Sequence, residues 1–558
     1  MPTTYVNPRF PFRRPAALGR GTPEEAVVVI AGAGLVGLTA ALDLARQGVR
    51  SVVLDDDDTV SFGSRAICWA KRTLEIYGRL GLGRRFLDKG ITWNTGRVFF
   101  RDSEAYSFNL LPEEGHEYPA FVNLQQYYVE DWLAQECEAS GLVDLRWCSR
   151  VERVEPREDG ALVAVETPEG CYRIHAQWLL ACDGARSAVR EALALPFLGQ
   201  VFRARFLIAD VVMQADLPNE RWFWFDPPFH PGQSVLLHKQ PDNVWRIDFQ
   251  LDWNLDPEAE KRPERVRERV RSMLAGAGGA RGDLPFTLDW VSIYTFRCRR
   301  LERFRHGRIL FLGDAAHQVS PFGARGGNGG IQDADNLGWK LAAVLRGDAP
   351  DALLDSYDVE RVPAADESIL NSTRATDFIT PESETARAWR DAVLELARTQ
   401  PLARPLVNSG RLSRPTVLKD SPLSSPDAGP WEGGLPPGAP ATDAPVLRDG
   451  QPDWLLRHLA GSGGFTLLCF SRAGEAPAAP PGIARVVVSE QEAPGALWDH
   501  SGLAARRYAA APGDCVLLRP DQHVAARFRG SAEPEPDAVR AARDRALGRA
   551  AAPLRREA

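Results

Sequence analysis

The sequence lacks several features that would place the chain in a simple class. Its eight cysteines are scattered without a CxxC pair, so neither a metal site nor a disulfide framework is indicated, and a reducing cytoplasm is the expected location. The 67 basic and 74 acidic residues leave a net charge of −7, which gives no electrostatic reason to expect nucleic acid or a membrane as partner. The apolar stretch from Val27 to Leu42 is preceded by a polar leader and broken by glycines, which argues against a signal core or membrane span. Small molecules are therefore the expected partners.

The chain has 558 residues, of which 44% are hydrophobic, and this length suggests three or four domains. Alternating strand and helix patterns are interrupted by a run of strand patterns and then return, so one α/β domain is predicted to carry an insertion. The predicted segments are a loose leader (1–25), the first part of the α/β domain (26–195), a β-rich insertion (196–300), the resumed α/β domain with helices (301–414), a linker rich in Pro, Gly and Ser (415–445), and a final α/β-like domain (446–558).

The segment Gly32-Ala-Gly34-Leu-Val-Gly37 follows a buried-strand pattern and opens a helix predicted over Leu35–Gln47. Gly32 permits a tight turn, Gly34 lets a pyrophosphate approach the backbone, and Gly37 lets the helix pack close to the strand. The next predicted strand ends at Asp55, near the spacing expected of the acid that binds ribose hydroxyls. These residues predict a Rossmann-like dinucleotide site.

Two later segments extend this prediction to FAD. Asp183-Gly184 lies in the middle of the chain, and Gly313-Asp314 opens Gly313-Asp-Ala-Ala-His317 after another buried-strand pattern. Asp314 can accept hydrogen bonds from the ribityl hydroxyls or cap a helix, and both roles can coexist. His317 is expected to be a structural hydrogen-bonding residue.

These motifs, with Ser64-Arg65-Ala66, Gln126 in Gln-Tyr-Tyr-Val-Glu130, and the long segment Gly313–Lys340, resemble the class A flavoprotein monooxygenases. That family comprises aromatic hydroxylases of the p-hydroxybenzoate hydroxylase type, and the phenol and 3-(3-hydroxyphenyl)propionate hydroxylase branch is the most similar. The resemblance implies an α/β fold with a Rossmann-like FAD-binding domain of the glutathione-reductase type. It also implies an inserted β-rich substrate domain and a C-terminal thioredoxin-like domain, here without CxxC.

In the family, Arg65 and Gln126 approach the diphosphate and ribityl chain, and Asp183-Gly184 lies near the pyrophosphate. Glycines from Gly326 onward let the backbone contact a flat ring, and a helix is predicted over Gly330–Leu345. The predicted cofactor-binding residues are Gly32, Gly34, Gly37, Asp55, Arg65, Gln126, Asp183, Gly184, Gly313, Asp314, Gly326, Gly327 and Asn328.

The implied activity is FAD-dependent hydroxylation of a phenolic or other electron-rich aromatic compound through a flavin C4a-hydroperoxide, with O2 and transiently bound NADH or NADPH as co-substrates. Two alternatives stay open: a Baeyer-Villiger oxygenase acting on a polyketide-like ketone, and an NAD(P)H oxidase without an organic substrate. A homodimer is expected.

The substrate pocket is expected between the β-rich insertion and the flavin. Along Arg221-Trp-Phe-Trp-Phe225, the two tryptophans face one side of a strand and the two phenylalanines the other. By resemblance, Pro321 lies beside the reactive edge of the flavin. The polar candidates for orienting or deprotonating a phenol are Tyr294, Arg246, His238 and Asp248, and Arg246 can meet a carboxylate or nitro group.

Overall fold

The computed structural model describes residues 5–277, 284–407, 412–459, 464–530 and 535–549. Within these ranges, no helix is long and apolar enough to cross a membrane. The strands up to residue 300 are β1 (Glu24–Ala31), β2 (Ser51–Leu54), β3 (Cys68–Ala70), β4 (Ile91–Trp93), β5 (Thr95–Phe100), β6 (Ser103–Asn109), β7 (Phe121–Asn123), β8 (Val143–Arg146), β9 (Arg150–Pro156), β10 (Ala161–Thr167), β11 (Gly170–Ala181), β12 (Leu198–Met213), β13 (Arg221–Phe225), β14 (Ser234–Lys239), β15 (Val244–Leu251) and β16 (Phe286–Arg300).

The later strands are β17 (Arg305–His306), β18 (Ile309–Phe311), β19 (His317–Gln318), β20 (Pro445–Arg448), β21 (Gln451–Trp454), β22 (Phe465–Ser471), β23 (Ile483–Ser489), β24 (Leu497–Trp498), β25 (Cys515–Leu518) and β26 (Val524–Phe528). The helices are α1 (Leu35–Arg46), α2 (Lys71–Arg79), α3 (Gly83–Lys89), α4 (Gln126–Ala139), α5 (Ala188–Ala192), α6 (Pro257–Glu260), α7 (Pro263–Gly276), α8 (Gly326–Leu345), α9 (Asp355–Ile379), α10 (Glu384–Thr399), α11 (Arg404–Val407), α12 (Leu503–Tyr508) and α13 (Pro536–Ala546).

The first sheet has the strand order β17-β18-β11-β1-β2-β8, and β10 and β9 extend from β11. β1 is parallel to both β2 and β11, and α1 packs against α4 and α8. The four residues Val28–Ala31 are fully buried, as expected for a central strand of a parallel sheet. This arrangement confirms the predicted Rossmann-like α/β class, and the predicted helix over Leu35–Gln47 is α1, one residue shorter.

The second sheet has the order β19-β16-β12-β15-β14-β13-β5-β6 and is antiparallel except for the β13–β5 pair. One face packs on the amphipathic helix α7, whose buried side includes Val266, Val270 and Met273. Trp224 belongs to this face, whereas Phe223 belongs to the opposite face, which packs on Phe322. The predicted separation of tryptophans and phenylalanines is confirmed.

Three strands of this sheet, β5, β6 and the two-residue β19, lie outside the segment predicted to form it. β5 alternates buried and less buried residues from Thr95 to Phe100 and pairs in parallel with β13, and β6 extends the edge. The predicted boundary at residue 196 therefore does not separate the two sheets. The local alternation of residues predicts that β5 is a strand, but it does not show which distant strand β5 pairs with. The sequence therefore could not reveal that β5 belongs to the second sheet.

The leader, expected to be loose, is packed against the first domain. The Tyr5 ring stacks on Tyr127 with centroids 4.4 Å apart, and the Phe10 ring stacks on Trp147 at 4.3 Å. Leu18 is 8% exposed and belongs to the main core. Aromatic stacking onto residues more than 100 positions away holds this segment in place.

The predicted linker is also packed. Gly438 N donates to the Val524 carbonyl at 2.8 Å, and Ala441 N donates to the Gln522 carbonyl at 2.7 Å. Leu418 and Leu423 are buried. The segment is thus irregular but fixed to the C-terminal domain.

The C-terminal sheet has the order β21-β20-β24-β23-β22-β25-β26. β22 and β23 are parallel neighbours, β25 and β26 follow as an antiparallel pair, and α13 packs on them. This order is compatible with a thioredoxin-like core, which stays a prediction. Trp339 of α8 and Phe465 of β22 share one hydrophobic cluster, so the two domains share a core.

A buried ion network reinforces that junction. Lys340 Nζ donates to Glu360 Oε2 at 2.6 Å, and Arg519 of the C-terminal domain donates to the same oxygen at 3.1 Å. Burial alone would raise the pKa of Glu360, but Arg519 and Lys340 outweigh it and lower that pKa. Removing either Lys340 or Arg519 would leave the buried Glu360 carboxylate with only one of these two cations beside it, which is unfavourable.

Candidate functional site

The turn between β1 and α1 requires glycine at two positions. Gly32 has φ of +100°, and a Cβ there would lie 2.6 Å from the Cys182 carbonyl oxygen. A Cβ on Gly37 would lie 1.9 Å from the Gly32 oxygen. At Gly34, by contrast, a Cβ would meet nothing closer than Glu130 Oε1 at 3.8 Å, so the backbone there borders open space. This geometry fits a pyrophosphate-binding turn.

Asp55 lies at the end of β2, beside this turn. Its carboxylate accepts hydrogen bonds from Ala33 N at 2.5 Å and from Asp57 N at 2.9 Å. Burial nevertheless raises the pKa of Asp55 to about 7. The predicted ribose-binding acid therefore stands where β1, β2 and α1 meet.

Glu130 on α4 is a site residue that the motif analysis did not single out. Its Oε1 accepts from Leu35 N at 3.1 Å, at the start of α1, and its Oε2 accepts from Ser61 N at 2.8 Å. Gln126, one helical turn earlier, donates to Glu130 at 2.7 Å and accepts from Ala66 N at 3.0 Å. Gln126 thus positions the loop carrying Arg65 and uses its amide within the protein. The i,i+4 spacing of Gln126 and Glu130 was the available signal.

The Asp183-Gly184 and Gly313-Asp314 loops are tied together by Arg190. This guanidinium donates to the Ala315 carbonyl at 3.0 Å and the Ala185 carbonyl at 2.9 Å. Asp183 accepts from Val189 N at 3.0 Å, at the start of α5. Two of the three predicted FAD segments are therefore held side by side.

A buried triad supports the second loop from below. His317 Nε2 lies 2.7 Å from Asp333 Oδ2, which also accepts from Gly313 N at 3.0 Å, and Arg361 donates to Asp333 Oδ1 at 2.7 Å. Burial tends to raise the pKa of Asp333, but His317 and Arg361 outweigh it and lower that pKa. His317 has the structural role expected of it.

Helix α8 begins at Gly326, four residues before the predicted start. A Cβ on Gly326 or Gly327 would meet no atom closer than 3.4 Å, whereas a Cβ on Gly330 would lie 2.6 Å from Val36 Cγ2. The first helical turn is thus partly exposed and less tightly packed than the second, which is packed on α1. That Gly326 and Gly327 contact the flavin ring stays a prediction.

Asn328, predicted as a cofactor ligand, uses its side chain inside the protein. Its Oδ1 accepts from Ala70 N at 2.9 Å and from the Thr73 hydroxyl at 2.6 Å. Its Nδ2 donates to the carbonyls of Cys68 at 2.9 Å and Ala324 at 2.6 Å. The amide therefore fixes the start of α8 to β3 and α2, and only its backbone is free to face a cofactor.

Pro321 is exposed just before α8, and the next residue, Phe322, is buried against the second sheet. The Phe322 ring lies 5.2 Å from Phe296, 5.3 Å from Phe206 and 6.3 Å from Phe223. A buried aromatic cluster thus lies next to Pro321, the residue predicted to lie beside the reactive edge of the flavin.

Tyr294, half exposed on β16, belongs to the same face of the second sheet. Its ring lies 5.9 Å from Phe296. Desolvation raises the pKa of Tyr294, Asp314 raises it further, and Arg297 and Arg65 partly oppose this. The phenol is therefore protonated at neutral pH and lies within electrostatic reach of Asp314 and Arg65.

Arg246 is brought to the site but is fully engaged there. It donates to Ser64 Oγ at 2.8 Å and to the Arg65 carbonyl at 2.9 Å, and its Nε lies 3.4 Å from Asp210 Oδ1. Arg246 thus fastens the second sheet to the Ser64-Arg65 loop. His238, on the neighbouring strand, is 4% exposed, and among the described residues its Nδ1 has no hydrogen-bond partner.

The site fits FAD. The Asp314 carboxylate accepts no hydrogen bond from the part of the chain that the structure describes, and burial raises its pKa, so it is suited to accept from a ligand hydroxyl. The partly exposed glycine backbone at Gly326 and Gly327 suits a flat ring, and the β1–α1 turn suits a diphosphate. Fold and site together define a flavin-binding α/β protein.

Comparison with known proteins agrees. The FAD binding domain family matches residues 25–372, and the chain belongs to this family of flavin-dependent monooxygenases. It is 32% identical over 534 residues to 6-methylpretetramide 4-monooxygenase of Streptomyces rimosus, covering 90% of this chain and 91% of that one. It is 28% identical over 460 residues to 3-(3-hydroxy-phenyl)propionate/3-hydroxycinnamic acid hydroxylase of Mycolicibacterium smegmatis (strain ATCC 700084 / mc(2)155), covering 81% and 78%. The protein is therefore an oxidoreductase with FAD as cofactor.

A solved structure extends the similarity to the whole fold. The flavin-dependent monooxygenase PieE, in complex with FAD and substrate, superposes with a TM-score of 0.80 at 20% identity, covering 95% of this chain and all of that one.

Proposed function

We propose that this monooxygenase hydroxylates a phenolic or other electron-rich aromatic compound, with O2 and either NADH or NADPH as co-substrates. The observation that carries the proposal is the cluster of Phe206, Phe223 and Phe296 around Phe322, next to Pro321. An apolar, aromatic core next to the position predicted for the ring of the cofactor favours a flat aromatic substrate.

FAD, when bound, supplies the redox chemistry that links NAD(P)H oxidation to oxygen transfer. Asp55 would accept from the ribose hydroxyls, Asp314 would accept from the ribityl chain, and the backbone at Gly326 and Gly327 would hold the ring. The N-terminus of α8 would favour negative charge on the ring. The apolar cluster around Phe322 would help to exclude water, which would limit release of hydrogen peroxide.

The substrate class is supported by the relatives' names. One relative is named as a hydroxylase of 3-(3-hydroxyphenyl)propionate, which is a phenol, and another as a 4-monooxygenase of 6-methylpretetramide. For this chain we infer that the substrate is a hydroxylated aromatic compound, either as small as 3-(3-hydroxyphenyl)propionate or as large as 6-methylpretetramide.

The test is NADH and NADPH oxidation by the purified holoenzyme, followed together with O2 consumption and peroxide release, over phenols, phenolic acids and polyphenolic compounds. One compound should speed NAD(P)H oxidation with little peroxide and yield a product one oxygen heavier. A ketone converted to an ester or lactone would favour the Baeyer-Villiger alternative. Peroxide from every compound would favour the oxidase.

The homodimer and the cytoplasmic location belong to this proposal. Light scattering on the purified holoenzyme should give twice the mass of one chain, and the mass of one chain would contradict the dimer.

A further inference from the structure

A row of polar side chains crosses the second sheet on the face toward the FAD-binding domain. The strand register places Arg221 beside His238, and His238 beside Arg246. Phe223, the next residue of β13 on this face, packs on Phe322. Because alternate residues of a strand are about 6.6–6.8 Å apart, the polar row lies one side-chain position beyond the aromatic cluster.

Arg221 differs from Arg246 in having no partner. Among the described residues, none accepts a hydrogen bond from its guanidinium or lies within ion-pair distance, and Nε is buried. Asp248, the nearest acid in electrostatic terms, lies 4.0 Å from the Arg246 Nε instead. Burial lowers the pKa of Arg221 because a desolvated guanidinium without a partner is unfavourable. Such groups are typical of ligand sites.

His238 supplies a second unpartnered group beside it. The imidazole is 4% exposed, its ring and the Trp93 ring lie edge to face with centroids 6.1 Å apart, and no described residue is a hydrogen-bond partner of Nδ1. Burial and the two neighbouring arginines hold the pKa of His238 well below its usual range, so the ring is uncharged at neutral pH. A neutral imidazole nitrogen can donate or accept one hydrogen bond.

We propose that Arg221 and His238 form the subsite for an ionised oxygen substituent of the aromatic substrate, a carboxylate or an enolate. This inference rests on the proposed function and names the substrate class more narrowly. The guanidinium fork matches two acceptor oxygens, and His238 adds one hydrogen bond. A substrate without that substituent leaves Arg221 unpaired, which discriminates against it.

The test compares matched ligands on the holoenzyme, with binding read from the change in flavin absorption. The carboxylate arm pairs 3-(3-hydroxyphenyl)propionate with 3-ethylphenol, and the enolate arm pairs 4-hydroxycoumarin with coumarin. The wild-type protein should bind the ionised member of at least one pair more tightly than its neutral partner. The pair that shows this preference identifies whether the ionised substituent is a carboxylate or an enolate.

Arg221→Met should weaken binding of the ionised member by about 10- to 100-fold, the effect of a lost charge-assisted hydrogen bond. Binding of the neutral member should change by less than about threefold, as for an ordinary substitution. The affinity of Arg221→Lys for the ionised member should lie between those of the wild type and Arg221→Met, because lysine keeps the positive charge but lacks the two-pronged guanidinium. Arg203→Met, at an exposed arginine of the same sheet, is the matched control.

Equal losses for both members of a pair, no loss for the ionised member, or a wild-type protein that binds neither acidic compound would overturn the subsite. Retained FAD content and a thermal midpoint that is unchanged or higher in Arg221→Met separate these outcomes from misfolding. Failure of the proposed function looks different: acidic ligands bind through Arg221, yet no aromatic compound speeds NAD(P)H oxidation.

Discussion

Arg246 donates a hydrogen bond to Ser64 Oγ at 2.8 Å and so links the substrate-facing sheet to the loop beside the FAD site. The hydroxyl of Ser64 in turn donates a hydrogen bond to the carboxylate of Asp210 on β12, and this carboxylate also accepts from Arg246. All three side chains are buried; Arg246 and Asp210 belong to the second sheet, and Ser64 belongs to the loop before β3. The position of the loop that carries Arg65, a predicted cofactor ligand, therefore depends on a contact made from the insertion.

Replacing Arg246 by methionine should lower the free energy of unfolding by about 3–5 kcal/mol, because Asp210 is left buried without its cation. Urea denaturation of the apoprotein measures this. Arg203→Met, which removes an exposed arginine of the same strand system, should leave the midpoint unchanged. An Arg246→Met midpoint equal to that of the wild type would contradict the assignment of Arg246 as a positioning residue.

Asp314→Asn should weaken FAD binding by about 10- to 100-fold, because the amide is a poorer acceptor for the ribityl hydroxyls. Apoprotein stability should change by less than about 0.5 kcal/mol, since no described residue donates to this carboxylate. Asp333→Asn is the comparison variant. The Asp333 carboxylate forms hydrogen bonds with Gly313 N, His317 and Arg361, so this substitution should destabilise the apoprotein itself. Flavin release and thermal unfolding report the two effects. Unchanged flavin affinity in Asp314→Asn would remove Asp314 from the cofactor site.

Two glycines of α8 should respond differently to alanine. Gly330→Ala places a methyl 2.6 Å from Val36 and 3.1 Å from the Gly313 Cα, so the α1–α8 packing must move and the apoprotein should be destabilised by about 1–3 kcal/mol. Gly326→Ala meets nothing closer than 3.5 Å, so the apoprotein should keep its stability while the methyl enters the space assigned to the ring. Thermal unfolding without FAD and flavin titration separate the two. Weak flavin binding is expected for Gly326→Ala, and unaltered binding would contradict the placement of the ring.

Asp43 should make the stability of the protein depend on pH. This carboxyl of α1 packs against Gly338, and burial raises its pKa to about 7, with Arg79 partly opposing. The folded state therefore holds the proton more tightly than the unfolded state, so stability present below about pH 4 is lost as the pH rises to about 7. In the wild type, this titration should lower the free energy of unfolding by on the order of 2–4 kcal/mol as the pH rises, and Asp43→Asn should abolish that decrease.

The measurement for Asp43 is the difference in thermal midpoint between about pH 5 and about pH 8, in wild type and variant. Asp55 shifts in the same direction and is present in both proteins, so the comparison isolates Asp43. A larger pH dependence in Asp43→Asn would contradict the raised pKa.

The sequence predicted what is encoded locally. The Gly32–Gly37 turn and Asp55 follow from steric needs of one strand-turn-helix unit, and the two faces of Arg221–Phe225 follow from strand alternation. The strand at Ser51–Leu54 has the predicted bounds because its apolar run is bounded by polar residues on both sides.

Long-range pairing explains what the sequence did not reveal. Glu130 contacts the start of α1 across 95 positions, and β5 joins a strand more than 100 residues away. Arg221 resembles a surface charge at the edge of an aromatic strand, and only the register with His238 shows it turned inward. Asn328 and Gln126 lie in the expected segments, but their side-chain amides form hydrogen bonds with other groups of the protein.

The central claim is tested most directly by NAD(P)H oxidation with O2 and peroxide measured together, in the presence of phenolic acids and their neutral analogues. The account predicts that a phenolic compound with an ionised oxygen substituent accelerates NAD(P)H oxidation, with little peroxide and a product that carries one added oxygen. Oxidation at the same rate with every compound, with all O2 recovered as peroxide, would contradict it.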